Sequence, residues 1–313
     1  MITILLATYN GERYLRQQLD SILAQSETNW RLWIADDGSR DATIDILHEY
    51  ESAFPGKIRL LSYEEPSGSA QANFFRMLRT ARAENCDYVM LCDQDDVWLP
   101  DKIRTTMARM AQTELTLGAD IPILVHTDLR VVDKDLRELS PSLFAYQGLS
   151  PERCELRNYL LQNNVTGCTM MINRALLSFM DEAPPVCPMH DWWLAILASA
   201  FGSVQCELHA TMLYRQHGDN QVGAKRRRNI FVLIADKFQN RAVVRENYRK
   251  MYRQAAFLME KYAGRMTREQ RRLVSAFLQL EGSGRLRKIR LMCRHRLFMN
   301  TFTRTVGKFL FMN

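Results

Sequence analysis

The chain lacks the two sequence features that would place it across a membrane or in an oxidising compartment. No uninterrupted apolar stretch in its 313 residues approaches the roughly 20 residues that a membrane-spanning helix needs. Its seven cysteines are scattered and contain no Cys-x-x-Cys pair, which argues against a disulfide framework and against a zinc site. A β-rich run begins almost at residue 1, so no signal peptide is expected before it. We therefore expect a globular protein of a reducing cytoplasm.

Repeats and low-complexity segments are absent too. No glycine-rich phosphate loop follows the first predicted strand, which disfavours a nucleotidyltransferase. The length exceeds that of a typical single domain and is sufficient for a sizeable core.

Charge divides the chain into two unequal parts. Residues 1–224 contain 19 Lys and Arg against 30 Asp and Glu, whereas residues 225–313 contain 23 against 5. The change is abrupt, at the run Lys225-Arg226-Arg227-Arg228. We therefore predict an acidic domain over 1–224 and a basic, helical region over 225–313.

Strand and helix patterns alternate at short spacing in the first hundred residues. The β-rich runs span 2–6, 30–35, 58–61 and 88–92, and helical patterns cover about 15–23 and 70–81. Such alternation predicts an α/β fold with a parallel sheet and right-handed crossovers.

Three carboxylates follow the fourth of these strands, in the motif Asp93-Gln94-Asp95-Asp96. Crowded carboxylates repel one another and cost desolvation unless a positive group lies among them. A hard divalent cation with oxygen ligands is the natural partner, and ligands of open α/β sheets bind at such strand ends. The alternative is a solvated loop before the next helix. Asp96 could be a second ligand of the cation, but we favour helix capping ahead of Pro100, whose fixed φ suits a first helical turn.

Three strand-end motifs in the same order resemble those of a family 2 glycosyltransferase with the GT-A fold. They are Ala7-Thr8-Tyr9-Asn10, Asp36-Asp37-Gly38-Ser39 and Asp93-Gln94-Asp95-Asp96. Two later segments, 189–194 and 214–221, resemble the rhamnosyltransferase-like branch of that family. The resemblance covers about residues 1–224. It implies a Rossmann-like mixed sheet flanked by helices, with the basic helical region as an appendage.

The resemblance also implies a nucleotide-sugar site. Its residues would be Thr8, Tyr9, Asp37, Asp93 and Arg215, with Asp37 accepting a hydrogen bond from the base and Arg215 supplying charge to the phosphates. A turn residue is the alternative for Asp37, and for Asp36 it is the interpretation we favour.

A metal site is implied at the same strand end. Asp93, Asp95 and His217 would hold Mg²⁺ or Mn²⁺, although a lone histidine is more often structural. The glycines and polar residues of 218–223 suggest a loop that closes over bound donor.

Asp191 is the candidate general base of the resemblance. It precedes an apolar helical segment, so an N-cap role is the alternative, and both roles are compatible because a helix N-terminus stabilises a carboxylate. One of Trp192 and Trp193 is expected in the core and the other, Trp192, on the acceptor sugar. Asn164 lies in a segment that either lines the acceptor site or is a plain loop.

The basic region contains a helical stripe that is best interpreted as packing. Its members are Val244, Tyr248, Met251, Tyr252, Ala255, Leu258, Met259 and Tyr262. Further on, apolar side chains between 291 and 311 interleave with arginines and lysine, which suits a helix lying on an anionic membrane surface. A nucleic-acid-binding protein that uses this tail is the non-enzymatic alternative.

Together these inferences predict an inverting, metal-dependent glycosyltransferase. The expected donor is a nucleotide sugar, with dTDP-L-rhamnose first. The expected acceptor is a glycan or lipid-linked glycan of a bacterial surface polysaccharide, such as an O-antigen. We expect the protein in the bacterial cytoplasm, peripheral on the inner face of the cytoplasmic membrane, with no nucleic-acid partner.

Overall fold

A computed structural model gives the fold and describes residues 1–218, 241–301 and 305. Nine strands form one mixed sheet in the order β3-β2-β1-β4-β8-β6-β9-β5, with β7 paired to β6. The strands are β1 Ile2–Thr8, β2 Trp30–Asp36, β3 Ile58–Leu60, β4 Tyr88–Cys92, β5 Val97–Trp98, β6 Ile123–Val132, β7 Glu138–Ser140, β8 Met170–Asn173 and β9 Ser203–Arg215.

Helices flank the sheet and continue into the basic region. They are α1 Glu12–Leu23, α2 Thr43–Ala53, α3 Ala70–Ala83, α4 Lys102–Leu117, α5 Leu143–Gln147, α6 Leu156–Tyr159, α7 Arg174–Leu177, α8 His190–Phe201, α9 Arg241–Tyr262, α10 Arg268–Leu278 and α11 Arg285–His295. The predicted GT-A architecture, a Rossmann-like mixed sheet with a helical C-terminal part, is confirmed.

The first four strands run parallel, as the alternating pattern predicts. β1 lies between β2 and β4 in parallel register, and β3 extends the sheet beyond β2. β8 then pairs antiparallel with both β4 and β6, which makes the sheet mixed. The register places Thr8 opposite Asp36 and Leu6 opposite Cys92. The polar segments that follow β1, β2 and β4 therefore meet at one edge.

Two apolar clusters cover the two faces of the sheet. Side chains alternate along β1, so that Leu5 belongs to one cluster while Ile4 and Leu6 belong to the other. The Leu5 cluster continues into the C-terminal helices, where Leu258 and Phe277 are fully buried. The basic region therefore shares a core with the sheet.

The α9 stripe packs as the sequence predicts. Most of its apolar members are buried: Met251, Tyr252, Ala255, Leu258 and Tyr262. Across residues 1–218 and 241–301, no helix has the length and apolar character to cross a bilayer. The charge boundary at 225, most of the loop predicted over 218–223 and the aromatic end of the tail lie outside the described residues.

Candidate active site

A cavity of about 950 Å³ opens at the edge where β1, β2 and β4 end. This volume lies in the range of sites for small molecules. Its lining includes eight of the predicted site residues: Thr8, Tyr9, Asp37, Asp93, Asp95, Asn164, Asp191 and Trp192. Residues far apart in the sequence are therefore brought to one concave surface.

Asp36 organises the turn after β2. Its carboxylate accepts hydrogen bonds from the Thr8 hydroxyl at 2.8 Å and from the backbone N–H groups of Gly38 and Ser39 at 2.9 and 2.8 Å. Gly38 has φ +87°, a conformation that suits glycine. Asp36 thus has the turn role favoured from the sequence, and Thr8 is buried as its partner.

Asp37 faces the cavity, and one of its two carboxylate oxygens is hydrogen-bonded within the protein. Its Oδ1 accepts a hydrogen bond from the Ser67 N–H at 2.5 Å and lies 3.1 Å from the Arg76 guanidinium. In the described part of the chain Oδ2 accepts no hydrogen bond, so it is available to an N–H of a bound molecule. Tyr9 lies at the same end of the cavity, with 54% of its surface exposed.

Gln94 joins the segments after β1 and β4. Its side chain accepts from the Tyr9 N–H at 2.8 Å and donates to the Tyr9 carbonyl at 2.9 Å. A Cβ at Gly11 would lie 2.3 Å from Gln94 Oε1, so the fit requires glycine there. The sequence analysis missed this role, because a glutamine between aspartates has no distinctive pattern.

The acidic motif has a buried interior. Ligand atoms of Asp93, Asp96 and Cys168 all lie within 4.8 Å of one another. Burial and the neighbouring carboxylates Asp95 and Asp191 raise the pKa of the Asp93 carboxyl to about 7. Burial also raises the pKa of the fully buried Asp96 well above its usual range.

The predicted capping role of Asp96 is wrong. Helix α4 begins at Lys102, after Asp101, while Asp96 lies five residues earlier and accepts the Arg215 N–H at 3.0 Å. Its other oxygen is buried without a hydrogen-bond partner among the described residues. The short strand β5 separates Asp96 from the start of the helix. This strand could not be seen from the capping pattern in the sequence.

Lys102 is a positive group close to these carboxylates that the sequence analysis did not identify. Its side chain is fully buried and its ammonium lies 3.3 Å from the Thr211 hydroxyl. Burial lowers its pKa to about 8, although the Cys168, Cys92 and Asp96 side chains favour the charged form. A cation within the protein thus offsets part of the repulsion expected of the acidic motif.

Asp95 and His217 are brought together as predicted. Asp95 Oδ2 and His217 Nε2 lie 2.7 Å apart, and both side chains are largely buried. Asp95 lines the cavity, whereas His217 lies behind it.

Arg215 does not reach the cavity. Its side chain is 2% exposed and donates hydrogen bonds to the carbonyls of Asp95 and Lys134, both at 2.8 Å, and to Gln17 Oε1 at 2.5 Å. These bonds fix the backbone of the acidic motif. Arg215 is therefore placed to position that motif, instead of supplying charge directly to phosphates as the sequence analysis expected.

The donor groups at this edge fit a hard divalent cation. The carboxylates of Asp93 and Asp95 line the cavity, and His217 lies against Asp95. Carboxylate oxygens suit Mg²⁺ and Mn²⁺. Cys168 fits less well, because burial raises the pKa of its thiol well above the usual value and the thiolate is the ligating form.

Asp191 lies in the first turn of α8, on the opposite side of Asp93 from the β1 and β2 loops. The residue before this helix is Met189, so the alternative role of Asp191 as an N-cap is wrong. Its carboxylate accepts hydrogen bonds from the Gly167 N–H at 3.1 Å and the Asn163 amide at 3.2 Å. Burial raises its pKa to about 7, while the backbone hydrogen bonds act against this rise. A carboxyl group with this pKa can take up a proton near neutral pH.

The two tryptophans of α8 have different environments. Trp193 is fully buried, whereas Trp192 lines the cavity with its ring N–H bonded to the Tyr159 carbonyl at 2.5 Å. Asn164 also lines the cavity, and its amide N–H donates to the Ser150 carbonyl at 2.9 Å.

His190 lies beside Asp191 but is not suited to replace it as a base. Burial lowers the pKa of its imidazole to about 3, and the ring centroid lies 4.3 Å from that of Phe74.

A parallel sheet edge that carries acidic groups and a neighbouring buried carboxylate is the arrangement of a GT-A glycosyltransferase. The sequence model for glycosyl transferase family 2 matches residues 3–177, more than half of the chain. The chain belongs to this family and is a glycosyltransferase that uses a nucleotide-sugar donor.

Individual proteins support this assignment. The chain is 30% identical over 255 residues to the dTDP-rhamnosyl transferase RfbG of Shigella flexneri, covering 78% of this chain and 81% of that protein. It is 26% identical over 200 residues to the UDP-Glc:alpha-D-GlcNAc-diphosphoundecaprenol beta-1,3-glucosyltransferase WfgD of Escherichia coli, covering 63% and 70%. The mannosyltransferase PcManGT of Pyrobaculum calidifontis, solved with GDP-Man and Mn²⁺, has a similar fold at 15% identity, with a TM-score of 0.56 over 93% of this chain and 73% of that one.

Proposed function

We propose that the protein is an inverting, metal-dependent glycosyltransferase that moves L-rhamnose from dTDP-L-rhamnose onto a lipid-linked or growing surface polysaccharide. The observation that carries the proposal is the placement of Asp191. Its buried carboxylate opens into the same cavity as Asp93 and Asp95, and it is close enough to Asp93 for their charges to interact.

The chain's own residues account for a single displacement. Asp191 takes the proton of the attacking acceptor hydroxyl, while Gly167 and Asn163 hold its carboxylate in place. At the other end of the cavity, Asp37 accepts an N–H of the donor's base, and Tyr9 lies against the nucleotide. Attack from the face opposite the leaving nucleotide inverts the anomeric centre, so a β-linked rhamnose donor gives an α-linkage.

Asp93, Asp95 and His217 would hold Mg²⁺ or Mn²⁺ at the donor diphosphate. When bound, such an ion supplies positive charge that stabilises the departing nucleoside diphosphate. Arg215 and Gln94 contribute indirectly, because their hydrogen bonds fix the backbone on either side of these ligands.

The donor and acceptor classes rest on different relatives. Similarity to a dTDP-rhamnosyl transferase over most of both chains supports dTDP-L-rhamnose. The lipid-linked acceptor is supported by the weaker similarity to a glucosyltransferase whose acceptor is a sugar on diphosphoundecaprenol.

A lipid-linked acceptor requires the protein to work at a membrane surface, and α11 is suited to that task. Its exposed side chains combine apolar Leu286 and Ile289 with arginines at 285, 287, 290 and 294. This mixture matches a helix that lies on anionic lipid. We therefore propose peripheral association with the inner face of the bacterial cytoplasmic membrane.

A donor screen tests the proposed reaction. The purified full chain is heated with dTDP-L-rhamnose, UDP-glucose, UDP-N-acetylglucosamine or GDP-mannose, each with and without Mg²⁺ or Mn²⁺. A ligand that binds only the folded state raises the melting temperature, and we expect the largest rise with dTDP-L-rhamnose plus metal. A larger rise in melting temperature with another nucleotide sugar would identify that sugar as the donor in place of rhamnose. Equal rises with and without metal would reject metal dependence.

A further inference from the structure

We propose that the acceptor sugar is recognised by a surface of helix α9, formed by Asn247, Tyr248 and Met251 beside Trp192; we refer to it as the α9 wall. The inference rests on the proposed function, because it assigns the acceptor of the same reaction to one side of the cavity. It gives the basic region a part in substrate choice.

The α9 wall is part of the cavity lining. Asn247, Tyr248 and Met251 lie within five residues of one another on α9, and all three line the cavity together with Asp191 and Trp192. The match to the family ends at residue 177. The wall therefore belongs to a part of this chain that the family pattern does not specify.

The position of the wall relative to Asp191 favours the acceptor over the donor. The groups suited to the nucleotide, Tyr9 and Asp37, follow β1 and β2. Asp93 and Asp191 are close enough for their charges to interact, so the acidic motif adjoins the base. Trp192 follows Asp191 on α8, and α9 packs against α8 through the rings of Phe257 and Trp193. We therefore assign the acceptor hydroxyl that must reach Asp191 to the part of the cavity lined by α8 and α9.

The wall is held rigidly enough to select a ligand. Met251, Ala255 and Leu258 of α9 are buried in the shared core. The Phe257 ring lies 5.7 Å from the ring of Trp193, the neighbour of Trp192 on α8. Packing of α9 against α8 therefore fixes the wall relative to Asp191.

The side chains of the wall suit a sugar ring. Tyr248 is half-buried, and burial raises the pKa of its hydroxyl, so the ring is neutral at physiological pH. Together with Trp192 it offers aromatic surface for the apolar C–H face of a pyranose. Asn247 is exposed and its amide pairs with no described residue, which leaves it free to bond sugar hydroxyls.

Substitutions on α9 test the wall with a defined acceptor. The probe is N-acetylglucosamine joined through diphosphate to a short polyprenyl chain, with dTDP-L-rhamnose as donor. Tyr248→Ala and Asn247→Ala should each raise the KM for this acceptor, Tyr248→Ala by about tenfold, which corresponds to about 1.4 kcal/mol. Tyr248→Phe should retain parental KM, because it keeps the ring. Arg253→Ala, exposed on the other side of α9, is the matched control.

Donor binding separates the possible outcomes. Each variant should bind dTDP-L-rhamnose with parental affinity by calorimetry, because the wall is assigned to the acceptor and not to the donor. If the acceptor KM is unchanged in both alanine variants, the acceptor does not bind the α9 wall, and the proposed reaction is unaffected by that result. If Tyr248→Ala does not fold, the exposed Asn247→Ala decides alone. Absence of transfer by the parent enzyme would reject the proposed donor or acceptor, and the wall with it.

Discussion

The sheet-bearing residues 1–218 and the helices of 241–301 build one cavity in different ways. In the first part, polar side chains follow strand ends and are fixed by hydrogen bonds to backbone, as Asp36 and Gln94 are. In the second part, an apolar helical stripe sets one face of α9 against the core. Many polar contacts therefore place the groups proposed to react, whereas one face of a packed helix is sufficient to shape the proposed acceptor wall.

The two parts also differ in charge. Residues 1–224 have 30 acidic and 19 basic side chains, while residues 225–313 have 5 and 23. The carboxylates of the first part suit a cation and a proton, and the cations of the second suit an anionic surface. Substitutions in the first part should therefore affect sugar transfer, and substitutions in the second part should affect binding to an anionic membrane.

The largest effect is expected from Asp191→Asn. The amide keeps the shape of the carboxylate but cannot take up a proton, so transfer should fall by about 10²–10⁴-fold, the usual contribution of general-base catalysis. Donor affinity should remain near the parental value, because the loss concerns only the transition state. Turnover at saturating substrates and a donor titration measure both quantities.

Asp181→Asn is the matched control, since this carboxylate is 61% exposed and pairs with Arg82 at 2.5 Å. An Asp191→Asn enzyme that retained transfer within about threefold, well inside the range a lost base should exceed, would place the base elsewhere. It would also mean that the sheet part does not supply the base through Asp191.

Removing charge from α11 should affect only membrane binding. Each Lys or Arg near an anionic bilayer contributes about 1 kcal/mol, so replacing four exposed arginines by glutamine should weaken vesicle binding by about 1,000-fold. The positions are 285, 287, 290 and 294. Sedimentation with phosphatidylglycerol vesicles measures binding, and donor affinity serves as the test that the active site is unchanged.

The control variant carries four arginine-to-glutamine changes at exposed positions of the sheet part: Arg16, Arg59, Arg104 and Arg137. Equal vesicle binding by both variants would show that the position of the charge does not matter. We prefer substitution to deletion from Arg285, because Met292 and Leu297 are buried in the core and Met299 lines the cavity.

Asp95→Ala should abolish the effect of metal on donor binding. Its carboxylate lines the cavity beside His217, and loss of a ligand should cost at least the 10–100-fold typical of disturbing residues around a metal. Calorimetry with and without Mn²⁺ measures this loss. Donor affinity that still rose with Mn²⁺ would assign the ion to Asp93 and Asp96, whose ligand atoms lie within 4.8 Å.

The smallest effect concerns pH. Asp191 acts as a base only when deprotonated, and burial sets its pKa at about 7. Transfer at subsaturating acceptor should therefore decrease by about tenfold from pH 8 to pH 6, and by more if Asp93, with a similar pKa, must also lose its proton. A bound cation should move this limb to lower pH, because it favours both carboxylates. A flat profile from pH 6 to 8 would contradict the assignment of Asp191.

The sequence predicted those site residues whose roles depend on strand ends. Thr8, Asp37, Asp93 and Asp95 directly follow or end short apolar strands, and parallel strands bring their carboxyl ends to one edge. Predictions about helix starts failed at Asp96 and Asp191, because capping residues are common in turns and the true starts depend on β5 and Met189. Arg215 was expected at the phosphates, since its charge was visible in the sequence and its burial was not.

By itself, the sequence determined the family, the alternation of the first strands and helices and the separation of acidic from basic residues, because local periodicity and strand-end motifs encode these features. Only the tertiary structure decided which carboxylates share a site, that Lys102 lies beneath them and that α9 forms a wall of the cavity. The shared site depends on contacts between segments distant in the sequence, such as those of Asp93 with Asp191 and of Asp95 with His217. Burial in such contacts raises the pKa of Asp191 to about 7, which suits the role of base proposed for it.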